Sequence, residues 1–253
     1  KSGWPLSILH DFLNYLDTSV ASSYKIIALI HSKSIAPNTK NINYIEFEKS
    51  ASSYLYRIYY EYLYFYKLSN KLNPYLWLSL HDMSPRVKAN IRAVYCHNPA
   101  PFFKLTRKIF FLDKGFALYN WFYNFVYRIN IHKNDFVIVQ QNWIKHEFKK
   151  MFSVENIIVA NPNVDISIPV NIKKTNKDKK IFFFPSFPRV FKNFEVICEA
   201  VCKLDEKYND KFEVLITLRG HENKYAKMIY KKYSNLKNVK FIGLQTRKKV
   251  FEI

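Results

Sequence analysis

The sequence predicts an α/β protein of two Rossmann-like domains with parallel sheets. Short apolar runs alternate with longer helical patterns along the 253 residues. Several runs are continuous stretches of β-branched or aromatic residues, which is typical of strands covered on both faces. The regular alternation of strand and helix is typical of doubly wound parallel sheets.

Each predicted element rests on one of these two patterns. The apolar runs predict nine strands in chain order: 25–30, 43–47, 75–80, 93–97, 135–140, 156–160, 180–184, 213–218 and 238–242. The helical patterns before and between them predict six helices: 5–16, 52–70, 115–127, 143–151, 194–208 and 222–233.

The alternation breaks once, in a lysine- and asparagine-rich stretch over 171–180 that has no periodicity. Such a stretch is typical of a linker or exposed loop. We therefore predict an N-terminal domain over 1–168 and a C-terminal domain over 169–253. Residues 1–5 read as a loop entering a helix, and 247–253 as a helix that has barely begun. We expect a longer protein, with the first strand and part of the second domain outside this sequence.

Composition limits the possible partners. Forty Lys and Arg against twenty Asp and Glu give a net charge of +20, and 49% of residues are hydrophobic. The hydrophobic content excludes a disordered chain, and the charge favours phosphates, nucleic acid or an anionic membrane surface as partners. Three Cys without a CxxC pair, and no Asn-x-Ser/Thr sequon, favour a cytoplasmic location. No apolar run reaches the ~20 residues of a spanning helix, so we expect the protein either to be soluble or to lie on a membrane without crossing it.

The stretch 185–193 carries the first candidate site. It follows a predicted strand and leads into a predicted helix, so Arg189 and Lys192 stand at a strand's carboxyl end beside a helix N-terminus. Two cations and the helix dipole favour binding of a diphosphate there. The alternative is a solvated basic loop, which is common in so basic a chain.

Histidines at strand ends form the second set of candidates. His97 ends a predicted strand and is followed by Pro99 and Pro101, which favour an exposed turn. A histidine there can donate a hydrogen bond to a sugar hydroxyl or act as acid or base; the alternative is a histidine that only caps the strand. His81 and Asp82 stand at another strand end and rank second.

Glycine is scarce, with four in the chain, and Gly220 and Gly243 each follow a strand. They either border a ligand or only turn the chain. Neither GxGxxG nor GxxxxGK[ST] is present, which disfavours a usual dinucleotide site and a P-loop. No metal site is predicted, because His146-Glu147 lacks the second His of a zincin. Cys198 and Cys202, four apart on a helix, are predicted to pack in the core.

Two segments, 54–66 and 101–127, mix aromatic side chains with Lys and Arg. Such segments suit a membrane interface, where rings lie at headgroup level and cations meet anionic lipids. The alternative is that most of these rings belong to the core, and we favour the core for 54–66.

In this order the motifs resemble retaining glycosyltransferases of the GT-B fold, similar to glycosyltransferase family 4. The resemblance runs over essentially the whole chain as a series of short motifs: Ser2-Gly3-Trp4-Pro5, His97-Asn98-Pro99, Val139 to Trp143, Val159 to Asp165, Phe184 to Asn193, Arg219-Gly220 and Phe241-Ile242-Gly243. Two departures stand out. Pro185-Ser186 occupies the place of the family's Gly-Arg pair, and the family's two-glutamate motif would lie beyond Ile253.

The resemblance implies a role for each matching residue. His97 would face the transferred sugar, and Arg189 with Lys192 would neutralise the leaving nucleoside diphosphate without a metal. The remaining donor-side positions are Gly3 by the diphosphate, Ser186 and Asn193 within the Phe184 to Asn193 motif, and Gly220 and Gly243 at the nucleotide pocket. The stretch from Asn161 to Asp165 would cross between the two domains, which face a cleft.

The function implied is transfer of a sugar, with retention of configuration, from a nucleoside-diphosphate sugar to a glycan or lipid-linked glycan. We expect envelope polysaccharide synthesis, such as O-antigen, lipopolysaccharide or capsule, at the inner face of the cell membrane, without a cofactor. The competing function is a basic nucleic-acid-binding α/β protein, supported by the charge and the many rings. Since no RNP, KH or helix-turn-helix signature occurs, nucleic acid is not the expected partner. A non-catalytic scaffold of GT-B shape is the third possibility.

Overall fold

The computed structural model describes residues 4–161, 179–208, 211–246, 249–250 and 253. Nine strands occur among them, each overlapping a predicted strand: β1 Ile26–Ile30, β2 Ile42–Glu46, β3 Leu76–Ser79, β4 Ile91–Cys96, β5 Phe136–Val139, β6 Ile157–Val159, β7 Lys180–Phe184, β8 Phe212–Ile216 and β9 Val239–Phe241. All the strand pairs in these residues are parallel. The predicted α/β class with parallel sheets is confirmed.

The described α-helices number eight: α1 Trp4–Tyr15, α2 Tyr54–Tyr59, α3 Phe65–Leu72, α4 Arg107–Leu112, α5 Lys114–Arg128, α6 Asn142–Phe152, α7 Phe194–Tyr208 and α8 Lys224–Tyr233. The single helix predicted over 52–70 is divided, because a π-helical turn, Tyr60–Tyr64, separates α2 from α3. The six-residue α4 was not predicted from the sequence.

Side-chain caps fix several helix boundaries. Ser53, Thr106 and Asn223 each accept a hydrogen bond from a backbone N–H in the first turn of α2, α4 and α8. Asn73 and Ser153 adopt left-handed φ angles of 45° and 52° directly after α3 and α6. These residue types are favoured at such positions because their short polar side chains satisfy free backbone groups or tolerate the left-handed region.

Two compact units divide the chain: Lys1–Pro99 with Tyr123–Asn163, and Ala100–Phe122 with Val164–Ile253. The predicted domain boundary after residue 168 lies outside the described residues and stays a prediction. The sequence did not predict that residues 100–122 group with the second unit.

The first unit contains a two-stranded sheet, β1-β2, and a four-stranded sheet in the order β3-β4-β5-β6. Val94 and Cys96 on β4 and Val137 and Val139 on β5 are fully buried, as the apolar runs predict. The ring of Phe148 on α6 is fully buried as well and lies 5.1 Å from the ring of Tyr127. Burial of each such side chain stabilises the fold by about 1.5–3 kcal/mol.

The second unit contains a three-stranded sheet in the order β7-β8-β9. Its core combines Phe194 and Val201 of α7, Ile216 of β8 and Ile229 of α8, and Phe116 of α5 belongs to the same cluster. This packing explains why 100–122 groups with the second sheet. Cys198 is buried in this core as predicted, whereas Cys202 is exposed, so the prediction of core packing for Cys202 is wrong.

The aromatic segment 54–66 is divided between core and surface. Tyr60, Tyr64 and Phe65 pack with Phe47 in a small buried cluster. The opposite side is exposed: Tyr54, Leu55, Tyr56, Ile58, Tyr59, Leu63 and Tyr66. Four of the eight rings in 54–66 are thus exposed, so the prediction that most of these rings belong to the core is wrong. Within the described ranges, no helix combines the length and the apolarity needed to cross a bilayer.

Candidate functional site

In the first unit, a buried Asp82 organises the turn after β4. Its Oδ1 accepts hydrogen bonds from the backbone N–H of His97 at 2.8 Å, that of Asn98 at 3.1 Å and the hydroxyl of Tyr127 at 2.7 Å. Asp82 itself has a left-handed φ of 67°. A residue in this conformation persists only where its surroundings fix it, which the three hydrogen bonds do.

His97 is positioned by this carboxylate and by a neighbouring ring. Its Nδ1 lies 3.4 Å from Asp82 Oδ1, within ion-pair range, yet Nδ1 makes no hydrogen bond to any described residue. Tyr95 stacks on the imidazole with 5.8 Å between ring centroids, and Gln140 donates to the Tyr95 hydroxyl at 2.7 Å. Nδ1 itself is buried, so these contacts fix the orientation of the ring.

Burial and negative charge keep the nearby hydroxyl groups protonated. Burial, followed by the charge of Asp82, raises the pKa of Tyr127 well above its usual value. Burial also raises the pKa of Tyr95. A protonated Tyr127 is what the geometry needs, since its hydroxyl must donate to Asp82.

His81, at the end of β3, has a partner that the sequence did not single out. Its Nε2 lies 2.7 Å from Oε1 of Glu61, which belongs to the π-helical turn and is buried. No local motif marks Glu61. The only available signal was that Glu61 is the single acidic residue in the aromatic-rich segment 54–66.

In the second unit, the turn between β7 and α7 carries the predicted cations. Thr217, just after β8, joins the two strand ends: its Oγ1 accepts from Ser186 N at 2.8 Å and donates to Ser186 O at 2.8 Å. The chain then forms a 3-10 turn, Val190–Lys192, and Asn193 takes a left-handed φ of 50° before α7 begins. The predicted position of Arg189 and Lys192, between a strand end and a helix start, is confirmed.

The two cations differ in their surroundings. Arg189 Nη1 donates to Asp113 Oδ2 at 3.0 Å, with side chains 47% and 16% exposed. Lys192 has no acidic partner in the described chain, and its Nζ lies 5.5 Å from the centroid of the Phe191 ring. Lys192 is therefore the less neutralised of the two charges.

Gly220 and Gly243 have positive φ angles of 92° and 75°. A Cβ on Gly220 would stand 2.7 Å from Tyr230 Cβ, and one on Gly243 would stand 2.5 Å from Arg219 Nε. Local packing thus accounts for glycine at both positions. The backbone N–H groups of Arg219 and Gly220 donate to the carboxylate of Glu222 at 2.7 and 2.9 Å. A role for the two glycines at a nucleotide pocket stays a prediction.

The parallel order of the second sheet brings these features to one edge. The carboxyl ends of β7, β8 and β9 lead into the 185–193 turn, Arg219-Gly220 and Gly243 respectively. The Gly243 N–H donates to Leu218 O at 3.3 Å, which holds two of these ends together. Gly3 and residues 162–165 of the predicted crossing lie outside the described residues.

Comparison with known proteins finds a partial structural match. No protein-family model and no curated protein matches the sequence. Among solved structures, the crystal structure of TarM matches with a TM-score of 0.40 and 22% identity. The match covers 64% of this chain and 35% of TarM, so it spans about a third of that protein.

Proposed function

We propose that this chain is part of a retaining glycosyltransferase of the GT-B type, which uses a nucleoside-diphosphate sugar. One observation carries the proposal: Arg189 and Lys192 stand in the turn from β7 to α7, at the edge where all three strands of the second sheet end. In open parallel sheets, ligands bind outside the carboxyl ends of the strands. The motif resemblance assigns the same turn to the donor diphosphate.

Transfer of the sugar leaves a nucleoside diphosphate whose added charge needs stabilisation. Lys192 supplies a point charge that no described carboxylate neutralises. Arg189 supplies a planar fork that already binds Asp113 through Nη1. The amino end of the 15-residue helix α7 adds partial positive charge worth roughly half a unit. In this proposal Lys192 makes the larger contribution, and the reaction needs no metal or other cofactor.

We propose His97 as the group that faces the transferred sugar. His97 is held by Asp82 and Tyr95 in one orientation. An imidazole fixed in this way can bind a sugar hydroxyl or the reacting centre. The acceptor we propose is a lipid-linked glycan in the synthesis of an envelope polysaccharide.

An exposed apolar stripe supports a membrane location for that acceptor. We define the α2–α3 stripe as Leu55, Tyr59, Leu63 and Tyr66, which recur at helical spacing and are all exposed, Leu55 by 79%. A face of this kind in a strongly basic protein suits the interface of an anionic membrane. We propose that this stripe brings the enzyme to the inner face of the cell membrane.

Calorimetry on the full-length protein tests the donor site. We expect binding of at least one UDP- or GDP-linked hexose, weakened about tenfold or more by Lys192→Ala, because a hydrogen bond to a charged group contributes about 1.5–3 kcal/mol. Lys203→Ala is the matched control, since Lys203 lies exposed further along α7. Absence of heat with every such donor contradicts the proposal, and an RNA gel shift at physiological salt would then favour the nucleic-acid alternative.

A further inference from the structure

Glu61 is a buried acid in an aromatic helix, and its burial is unusual for a carboxylate. Its side chain is 6% exposed, and its Oε2 makes no hydrogen bond to any described residue. It lies in the π-helical turn Tyr60–Tyr64. Such turns insert one extra residue into a helix, and they occur frequently at functional sites.

The turn also anchors the loop that follows β3. The backbone N–H of Arg86 donates to Glu61 O at 2.9 Å, and Arg57 Nη2 donates to His81 O at 3.4 Å. The loop that follows β3 is therefore hydrogen-bonded, at His81 and at Arg86, to residues of α2 and of the π-helical turn. The position of the imidazole relative to Glu61 is fixed by the fold.

The carboxylate determines which ring nitrogen of His81 carries hydrogen. Because Glu61 Oε1 lies 2.7 Å from Nε2 and a carboxylate only accepts, the hydrogen of the neutral ring must be on Nε2. Nδ1 is then the lone-pair nitrogen. The side chain of His81 is 38% exposed, and no described residue bonds Nδ1. A histidine oriented in this way presents an acceptor to a ligand.

A second buried polar atom belongs to the next residue in the chain, Tyr62. The hydroxyl of Tyr62 has no hydrogen-bond partner among the residues described. Burial, followed by the charge of Glu61, raises its pKa to about 12, so the hydroxyl stays a donor. Buried polar groups are nearly always satisfied. Glu61 Oε2 and the Tyr62 hydroxyl are thus two exceptions to this rule on consecutive residues.

We propose that Glu61 and His81 form a hydroxyl-binding subsite for the acceptor glycan, in which Nδ1 of His81 accepts a hydrogen bond from an acceptor hydroxyl. This inference rests on the proposed function. His81 follows β3 as His97 follows β4, and the backbone N–H of Asp82 donates to Tyr95 O at 3.2 Å between the two strand ends. His81 contacts the acceptor, and Glu61 is a positioning residue that acts through it.

Nitrogen-15 NMR of the full-length protein, with labelled histidine, tests the subsite directly. His81→Asn assigns the resonance, and n-octyl β-D-glucoside, β-D-galactoside and N-acetyl-β-D-glucosaminide serve as acceptor probes. We expect hydrogen on Nε2, a lone pair on Nδ1, and a shift of the Nδ1 resonance with at least one glycoside. Glu61→Gln should lower the preference for that tautomer. Hydrogen on Nδ1, or an Nδ1 resonance that none of the three glycosides moves, overturns the proposal.

Kinetics separates this inference from the proposed function. With the best donor and glycoside, Glu61→Gln and His81→Asn should each raise the acceptor KM about tenfold. His132→Asn is the control, because His132 is exposed in the same unit. Failure of the wild type to bind or hydrolyse any donor contradicts the proposed function. Wild-type transfer with an acceptor KM unchanged in both variants contradicts only the subsite.

Discussion

Arg189 donates a hydrogen bond to Asp113 at 3.0 Å, across 76 residues of chain. The same carboxylate accepts from the N–H of Phe116 at 2.9 Å, in the first turn of α5. Asp113 therefore binds Arg189, which we propose to contact the diphosphate, and it also caps α5. The ring of Phe116, in the first turn of α5, belongs to the core of the second unit.

Asp113→Asn should strengthen diphosphate binding while weakening the fold. Without the negative charge, Arg189 is available to a bound diphosphate, so we expect UDP to bind about three- to tenfold more tightly by calorimetry, the equivalent of roughly 1 kcal/mol. Loss of the ion pair and a weaker cap should lower the free energy of unfolding by about 1–2 kcal/mol in urea.

The control for the fold is Glu155→Gln, which breaks the exposed pair between Lys149 and Glu155. It should change stability by less than about 1 kcal/mol and leave UDP affinity unaltered. Weaker UDP binding in Asp113→Asn would show that Asp113 positions Arg189 for the ligand, which is the opposite of the competition we infer.

The glycines make a graded prediction about stability. At Gly220 a Cβ meets Tyr230 Cβ, which cannot move without its helix, whereas at Gly243 it meets the flexible side chain of Arg219. Both have positive φ. Gly220→Ala should therefore destabilise by about 2–4 kcal/mol and Gly243→Ala by about 1–2 kcal/mol.

Gly115 supplies the matched control for these two variants. It lies in α5, and the nearest atom to a methyl group added there is 3.6 Å away, an ordinary contact distance. Gly115→Ala should stabilise the protein by about 0.5–1 kcal/mol in urea unfolding, because alanine loses less entropy in a helix. Equal effects at all three positions would contradict the packing argument.

The elements of the fold could be predicted from sequence because strand and helix patterns are local. The run Phe136–Val139 is apolar at every position, and in the structure it forms β5, between β4 and β6. Residues 100–122 could not be placed in the same way. Their packing against Val190 and Phe194 depends on contacts far apart in the chain, which no periodicity records.

The site could be predicted only in part, for the same reason. His97, His81 and Asp82 stood out because each follows a strand, where parallel sheets bind ligands. Glu61 did not, since its importance comes from a contact 20 residues away and from a π-helical turn. Asp113 could not be predicted either, because it lies 76 residues from Arg189, the residue that it binds.

Membrane binding should depend on the α2–α3 stripe. We expect the full-length protein to sediment with anionic liposomes more than with neutral ones, and the double variant Leu55→Glu, Leu63→Glu to lose most of this binding. The change removes apolar area and adds charge that anionic lipid repels. Val196→Glu, at an exposed apolar position on α7, should bind as the wild type does. Equal sedimentation with anionic and neutral liposomes would contradict the proposed binding of the protein to an anionic membrane.

Stability at alkaline pH should depend on Tyr127. Burial and the charge of Asp82 raise its folded pKa well above the unfolded value of about 10. Above that pH the unfolded chain releases the phenolic proton while the folded chain keeps it, so the unfolded state binds fewer protons. The stabilisation is thus fully present below pH 10 and is lost as pH rises toward the folded pKa, by at most about 1.4 kcal/mol per pH unit.

Tyr127→Phe isolates this effect in urea unfolding between neutral and alkaline pH. The variant should be less stable at neutral pH by about 1–3 kcal/mol, because Asp82 loses the hydroxyl that donates at 2.7 Å. Its stability should also fall less steeply above pH 10, since one titrating group is gone. Tyr15→Phe is the control, because that ring is exposed. Alkaline slopes that are equal in Tyr127→Phe and the wild type would show that Tyr127 ionises in the folded protein as it does in the unfolded chain.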